Sequence, residues 1–180
     1  MLFHPAQAIE AVNLIRLLGY IDMLPTAIYQ CCQLESSLIL WGAERADGTI
    51  ETLAPADIER CFQAVRGFHI ITQSFLLDIF RPCESCKHFQ HCSHVYRNTA
   101  RVKATEEGGI FAGDPLRYIE DPADVEPLAG SLCQSCAIGR GTARLSYLQE
   151  GAWRVLPEIV AVNVPNWGKE LGGSRVRWYL

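Results

Sequence analysis

The sequence predicts a mainly α-helical protein, with a small helical domain, a cysteine-rich segment and an irregular C-terminal tail. Three observations predict this class. Apolar residues recur at three- and four-residue steps over most of residues 1–81, five of the eight cysteines fall within 82–140, and proline and glycine interrupt residues 161–180. We therefore divide the chain into a helical core at 1–81, a cysteine-rich segment at 82–140, and a C-terminal helix and tail at 141–180 that pack on the core.

Helical periodicity and turn residues define the predicted elements. Asp47-Gly48 is a turn dipeptide that allows a small hairpin, and Gly67 is expected to break the helical pattern. Residues 105–130 are acidic and rich in glycine and proline, which predicts an exposed loop. Cys31 lies on an apolar helical stripe and is predicted to be a core residue. The predicted helices occupy residues 6–18, 24–34, 37–41, 55–66, 68–81 and 145–156, and helical spacing also returns near Leu132.

Composition limits the classes of function. Apolar residues make up 49% of the 180 residues and charged residues 20%, which is typical of a globular protein. Neither a secretory signal nor a membrane anchor is visible, so we expect an intracellular protein, cytoplasmic or nuclear, without membrane association. The net charge of -4 offers no broad attraction to nucleic acid. The excess of cations between Arg81 and Lys103 is interpreted as solvated charge, so nucleic-acid binding is not expected.

Two C-x2-C pairs, Cys83 with Cys86 and Cys133 with Cys136, indicate a metal site. Without a secretory signal, the cysteines are expected to be reduced thiols rather than disulfides. Zinc binds four such ligands tetrahedrally, and a C-x2-C turn supplies two of them. Four thiolates fill the coordination shell, which predicts a structural rather than a catalytic zinc. Spacing alone favours these four cysteines, and the side chains that compete with them are Cys92, His88, His91 and His94.

Four runs of sequence form a distinctive pattern by their order and spacing. They are AVNLIRLLGYIDMLPTAIYQCCQL, ILWGAERADGTIETLAPADIERCF, LCQSC and RVLPEIVAVNVPNWG, with Cys86-x5-Cys92 between the second and the third. This pattern, which extends from about Ile9 to Gly168, resembles the region that follows the BTB/POZ domain in fungal BTB-domain proteins. The BTB fold itself would precede Phe3 and is absent from this sequence, which leaves open whether the chain is a fragment that lacks this domain and whether it dimerises or recruits partners through that fold.

The resemblance implies a ligand set that differs from the one favoured by spacing. The family pattern has C-x5-C followed by C-x2-C, which implies Cys86, Cys92, Cys133 and Cys136 as the zinc ligands and makes Cys83 an extra thiol. We adopt this set. The resemblance also implies a helical region that associates with other proteins rather than catalysing a reaction.

The function predicted from these observations is a non-catalytic protein-protein interaction module of a BTB-type protein, stabilised by zinc. The alternative is a zinc-containing protein that binds nucleic acid or is associated with transcription. An enzyme is not expected, because the sequence contains no G-x-S-x-G, H-E-x-x-H or G-x-x-x-x-G-K-[ST] motif. The partner proteins and the oligomeric state are left open.

Overall fold

The structure, a computed structural model, describes residues 4–105, 113–117, 130–137 and 140–168. It confirms the mainly α class. In chain order the helices are α1 (Pro5–Leu18), α2 (Leu24–Cys31), α3 (Ser36–Trp41), α4 (Pro55–Ile79), α5 (Phe89–Thr105), α6 (Gln134–Ala137) and α7 (Arg140–Ile159), and the 3-10 helix η1 is Ile21–Met23. The strands within the described residues are β1 (Ala43–Glu44) and β2 (Ile50–Glu51).

A small antiparallel hairpin lies between α3 and α4, as the turn at Asp47-Gly48 predicts. Ala43 pairs with Glu51, and Gly48 has φ +81°, a left-handed conformation that glycine adopts at no steric cost. Gly42, where the chain enters β1, has φ +87°, and a Cβ there would lie 2.4 Å from the carbonyl oxygen of Glu51. The close approach of the two strands therefore requires glycine at the start of the hairpin.

Helix α4 passes through Gly67 without interruption, so the predicted break at this residue is wrong. A glycine inside a helix costs about 1 kcal/mol relative to alanine, which is why it was expected to end the pattern. A Cβ at Gly67 would lie 3.0 Å from Cγ2 of Ile159, at the end of α7. The missing side chain thus lets α4 and the end of α7 approach each other closely, and packing compensates for the low helix propensity.

Helix α5 has no counterpart among the predicted helices. Its buried residues are Cys92 and Tyr96, four positions apart. The apolar stripe that identifies an amphipathic helix is therefore reduced to two side chains, and one of them, Cys92, is predicted from the sequence to be a metal ligand. The segment consequently resembles a polar loop in sequence although it forms seventeen residues of helix.

The chain forms two compact units. Unit 1 consists of Met1–Gly67 with Trp153–Leu180, and unit 2 of Phe68–Ala152. These bounds follow packing, whereas the predicted segments 1–81, 82–140 and 141–180 follow composition and motifs, and that division stays a prediction. Most of the predicted loop at 105–130 and the tail beyond residue 168 lie outside the described residues.

Unit 1 is held together by apolar packing and by one buried carboxylate. Asp57, in the first turn of α4, is only 2% exposed. It accepts hydrogen bonds from Arg16 of α1, whose Nη2 lies 2.5 Å from Oδ1 and whose Nε lies 3.1 Å from Oδ2, and from Arg60 Nη1 at 3.1 Å. The largest fully buried apolar side chains of unit 1 are Ile9, Val12, Leu24, Pro25, Ile28, Ile39, Leu156 and Val160.

The first residues of the tail fold back on α7 within unit 1. Trp167 packs on Trp153 with the ring centroids 4.7 Å apart. Its Nε1 also donates a hydrogen bond of 2.7 Å to the carbonyl oxygen of Trp153. A large aromatic surface and a satisfied indole N–H together fix the chain up to Gly168.

Unit 2 has a core of its own, formed by the second part of α4 and the first part of α7. Its buried apolar side chains on these helices are Phe68, Ile71, Phe75, Ile79, Leu145, Leu148 and Ala152. Within the described residues, none of the helices combines the length and the hydrophobicity needed to cross a lipid bilayer.

Candidate metal centre

Both C-x2-C pairs form tight turns in unit 2. The backbone N–H of Cys86 donates to the carbonyl oxygen of Cys83 at 3.0 Å, and that of Cys136 donates to Cys133 at 2.9 Å. The second turn continues into α6, because Ala137 N–H also donates to the Cys133 carbonyl at 3.0 Å. Such turns direct two sulfurs to the same side without straining the backbone, which is the usual way a protein presents cysteines to zinc.

Four sulfurs from three elements converge at one place. The Sγ atoms of Cys86, Cys92, Cys133 and Cys136 all lie within 4.8 Å of one another, and those of Cys86 and Cys133 are 3.8 Å apart. A tetrahedral zinc with Zn–S bonds of about 2.3 Å requires sulfurs about 3.8 Å apart. The cluster therefore has the size and the donor type that a four-coordinate zinc site needs.

Hydrogen bonds hold the elements of the cluster in place. Tyr96, one turn beyond Cys92 on α5, donates from its hydroxyl to the carbonyl oxygen of Cys136 at 3.1 Å. Burial raises the pKa of Tyr96 to about 12, so the hydroxyl remains a donor at neutral pH. The backbone N–H of Cys133 lies 3.5 Å from Cys92 Sγ, and Arg144 of α7 donates to the carbonyl of Arg81 at 2.7 Å. These contacts connect α5, α7 and both turns.

The pKa values of Cys92, Cys133 and Cys136 are shifted in different directions. Burial raises the pKa of Cys92 and of Cys136. Burial acts in the same direction on Cys133, but hydrogen bonds from the Cys136 backbone and from neighbouring thiols outweigh it and lower the pKa of Cys133 to about 7. One sulfur is thus close to its thiolate form at neutral pH, while two others hold their protons until a cation displaces them.

Metal affinity is therefore expected to rise steeply with pH. Neutral pH lies below the raised pKa of Cys92 and of Cys136, so both thiols are protonated and zinc binding releases both protons. Each displaced proton changes the affinity by about tenfold per pH unit. We expect the zinc dissociation constant to fall at least about 100-fold from pH 6.5 to 7.5. Competition with a chromophoric chelator, corrected for the protonation of the chelator, measures this change. An affinity that does not vary with pH would contradict the assignment of these two thiols as ligands.

The other candidate ligands lie outside the four-sulfur group. Cys83 is buried, and its Sγ lies 3.6 Å from that of Cys136, yet it is not within reach of all the other sulfurs. His88, His91 and His94 are exposed. His91 Nε2 bonds to the carbonyl oxygen of Ser131 at 2.9 Å. The structure brings together the four cysteines implied by the resemblance rather than the four favoured by spacing alone, and their role as ligands stays a prediction.

The three remaining cysteines belong to unit 1 and pack in its interior. Cys31 and Cys61 are completely buried, and Cys32 is 9% exposed. Cys32 Sγ lies 3.6 Å from the carbonyl oxygen of Cys61. Burial raises the pKa of Cys31 to about 12, which keeps this sulfur a neutral thiol. The prediction that Cys31 is a core residue is confirmed.

Sequence reasoning missed an exposed apolar surface at the end of α1. We call it the α1 surface; each of its six side chains is more than half exposed, and they are Leu14, Leu17, Leu18, Tyr20, Ile21 and Met23. The exposure of the last residues of α1 could have been predicted from the helical period. Ile9 and Leu18 are nine residues apart, which at about 100° per residue places them on opposite faces of the helix. The series of three-residue steps that predicts α1 therefore starts in the core and ends in solvent.

Comparisons with protein-family models, with curated proteins and with solved structures find no match for this chain. The fold and the site therefore define its class. It is a small, mainly α protein whose Cys86, Cys92, Cys133 and Cys136 form a cluster compatible with a metal site.

Proposed function

We propose that the chain is a non-catalytic protein-protein interaction module in which a structural zinc, bound by Cys86, Cys92, Cys133 and Cys136, holds unit 2 together. The observation that carries the proposal is the convergence of these four sulfurs within 4.8 Å. Zinc is favoured over other metals because thiolates in a tetrahedral arrangement are its typical structural ligands. Four thiolates leave no coordination position for a water or a substrate, which argues for a structural role.

The α1 surface supports the interaction part of the proposal. Soluble monomers seldom expose a contiguous apolar patch larger than a few hundred Å², and six large apolar side chains within ten consecutive residues are here each more than half exposed. Exposed apolar area of this kind is stabilised when another protein covers it. The sequence resemblance to the region after the BTB/POZ domain of fungal proteins agrees with this function. The proposal accordingly extends to a BTB-type protein that works inside the cell, in the cytoplasm or nucleus.

Native mass spectrometry of the protein purified under reducing conditions tests the zinc site. The expected result is a mass greater than that of the polypeptide by one zinc ion, with the metal identified by elemental analysis. A polypeptide mass without metal under gentle conditions would overturn the proposal. A different metal would keep the site and change its occupant.

Leu17→Glu is expected to abolish binding of partner proteins without affecting the fold. Leu17 is 82% exposed, so the substitution buries no charge in the folded chain, whereas a partner that covers the α1 surface would have to desolvate the carboxylate. Proximity labelling in cells, compared quantitatively between the wild type and the variant, measures the loss of labelled proteins.

The matched control for this experiment is Leu77→Glu. Leu77 is 77% exposed and belongs to unit 2, so the substitution introduces the same charge at an exposed leucine that is not one of the six residues of the α1 surface. Proximity labelling with Leu77→Glu is expected to give the same labelled proteins as with the wild type. If both variants lose the same proteins, or neither does, the α1 surface is not the binding surface.

The second candidate function, a zinc-containing protein that binds nucleic acid or is associated with transcription, is favoured by the charge of α5. This helix contains no Asp or Glu, and Arg97 and Arg101 are exposed one turn apart on the same face. Salt dependence separates the two candidates. A nucleic-acid binder that neutralises several phosphates loses affinity steeply between 50 and 200 mM salt, by about 10³-fold or more for six contacts, whereas binding through the α1 surface changes little.

A further inference from the structure

The cysteine-rich part of unit 2 contains one sulfur more than a four-coordinate metal can use. We call Cys83, Cys86, Cys92, Cys133 and Cys136 the five-sulfur cluster. Cys83 is 5% exposed, and its thiol lies 3.3 Å from the carbonyl oxygen of Ser135, to which it donates. Its sulfur is also 3.6 Å from Cys136 Sγ. The extra thiol is thus buried in contact with a proposed metal ligand instead of pointing into solvent.

Two sulfur-sulfur contacts join the same two turns in an antiparallel arrangement. Cys83 faces Cys136 at 3.6 Å, and Cys86 faces Cys133 at 3.8 Å. The first cysteine of each C-x2-C pair therefore contacts the second cysteine of the other. A disulfide has a sulfur-sulfur bond of about 2.05 Å, so small movements of the two turns would bring both pairs to bonding distance. Cys92 would remain without a partner.

We propose that the five-sulfur cluster is an oxidation site that passes from a reduced, metal-bound form to a metal-free form with the disulfides Cys83–Cys136 and Cys86–Cys133, the oxidant being a hydroperoxide. The inference rests on the proposed function in that the reduced cluster binds zinc. Both forms connect the same two stretches of chain, so unit 2 keeps its covalent or coordinate link between residues 83–86 and 133–136 in either state.

The order of the steps follows from exposure. Cys86 and Cys133 are partly exposed, whereas Cys83 and Cys136 are buried, so the hydroperoxide first oxidises one of the exposed thiolates to a sulfenic acid and leaves as an alcohol or water. The facing thiol attacks the sulfenic sulfur, the sulfur-sulfur bond forms and water departs. Each disulfide therefore consumes two thiols and one hydroperoxide and transfers two electrons to the oxidant.

The first disulfide removes two of the four ligands. Cys92 and Cys136 alone cannot complete a zinc site, so the ion dissociates and frees Cys136. The thiol of Cys136 can then pair with Cys83 by the same reaction, using a second hydroperoxide. The complete oxidation releases one zinc and consumes four thiols, and Cys92 stays reduced.

Titration of the zinc-loaded protein with hydrogen peroxide tests the proposal. Released zinc is measured with a chromophoric chelator, and the remaining thiols are alkylated before the disulfides are mapped by peptide mass spectrometry. The expected result is one equivalent of zinc released, four thiols lost from unit 2, the two stated pairings and an alkylated Cys92. Thiols lost from Cys31, Cys32 or Cys61 are counted separately, because the mapping assigns each peptide.

Cys83→Ser is the matched variant. It leaves the four proposed ligands intact, so the variant is expected to bind one zinc and to release it with the loss of two thiols, joined as Cys86–Cys133. Circular dichroism adds a second readout: the oxidised, metal-free wild type should retain its helical signal, whereas the reduced, metal-free wild type should lose part of it.

Other outcomes contradict the inference. A disulfide that contains Cys92, a disulfide within one C-x2-C pair, sulfinic acid without disulfide, or zinc retained after the thiols are consumed would each overturn it. If the protein binds metal as expected but forms other disulfide pairings, the oxidation site is rejected and the proposed function stays in place. A protein that never carries metal would reject the proposed function, while peroxide treatment of that same protein would still report the pairings.

Discussion

Replacing Cys133 and Cys136 together with serine is expected to abolish zinc binding and to unfold much of unit 2. Structural zinc contributes about 10–16 kcal/mol in small peptide sites, which equals or exceeds the total stability of a typical domain. The variant also loses both sulfurs of the second turn, so the contact of that turn with α5 is no longer held by the metal. Native mass spectrometry should give the bare polypeptide, and circular dichroism should report lost helix.

Cys83→Ser serves as the control for this pair of substitutions and decides between the two ligand sets. Cys83 is buried, like Cys92 and Cys136, but lies outside the four-sulfur group. The variant should keep its zinc and its helical signal. If Cys83→Ser loses the metal while Cys92→Ser retains it, the ligand set favoured by spacing is right and the one implied by the resemblance is wrong.

Asp57→Ala is expected to lower the free energy of unfolding of unit 1 by about 2–4 kcal/mol. The substitution removes a carboxylate that receives three hydrogen bonds from Arg16 and Arg60 and leaves both guanidinium groups without their acceptor. The estimate lies below the cost of breaking a fully buried pair, because the side chains of Arg16 and Arg60 are 41% and 30% exposed and can turn to water. Urea unfolding measured by circular dichroism gives the change.

Glu59→Gln is the corresponding control. Glu59 lies two residues further along the first turns of α4, is exposed, and accepts a hydrogen bond only from Gln63 among the contacts described for it. It removes the same unit of negative charge and should change the stability by less than about 0.5 kcal/mol. Equal losses in both variants would show that the charge near the start of α4, rather than the buried ion pair, provides the stability.

The sequence predicts α1 and α2 of unit 1, because α1 buries five residues and α2 six, and each has a proline in its first turn. It fails at Gly67, where a close contact with Ile159 compensates for a helix-breaking residue. It also fails for α5, whose buried face is only Cys92 and Tyr96. Local helix propensity contains no information about the contact between Gly67 and Ile159. For α5, the apolar stripe by which an amphipathic helix is predicted is missing.

Because α5 is not predicted, the sequence also leaves the choice of metal ligands open. The two C-x2-C pairs are visible in the sequence, so the presence of a thiol cluster can be predicted. Whether Cys83 or Cys92 completes it depends on the direction in which α5 leaves the first turn, and that helix is not predicted. The choice of Cys92 came from the resemblance, and the structure places its sulfur in the four-sulfur group through the fold of α5.

Unit 1 is assembled from both ends of the chain, Met1–Gly67 and Trp153–Leu180, with unit 2 inserted between them. Contacts between such distant stretches slow folding, since the intervening chain must be closed into a loop first. The last part of α7 is synthesised after the N-terminal helices and after unit 2, so unit 1 cannot be completed before then. A truncation before Trp153 would therefore leave the unit that contains the N-terminal helices incomplete, and its unpacked apolar residues would be open to aggregation.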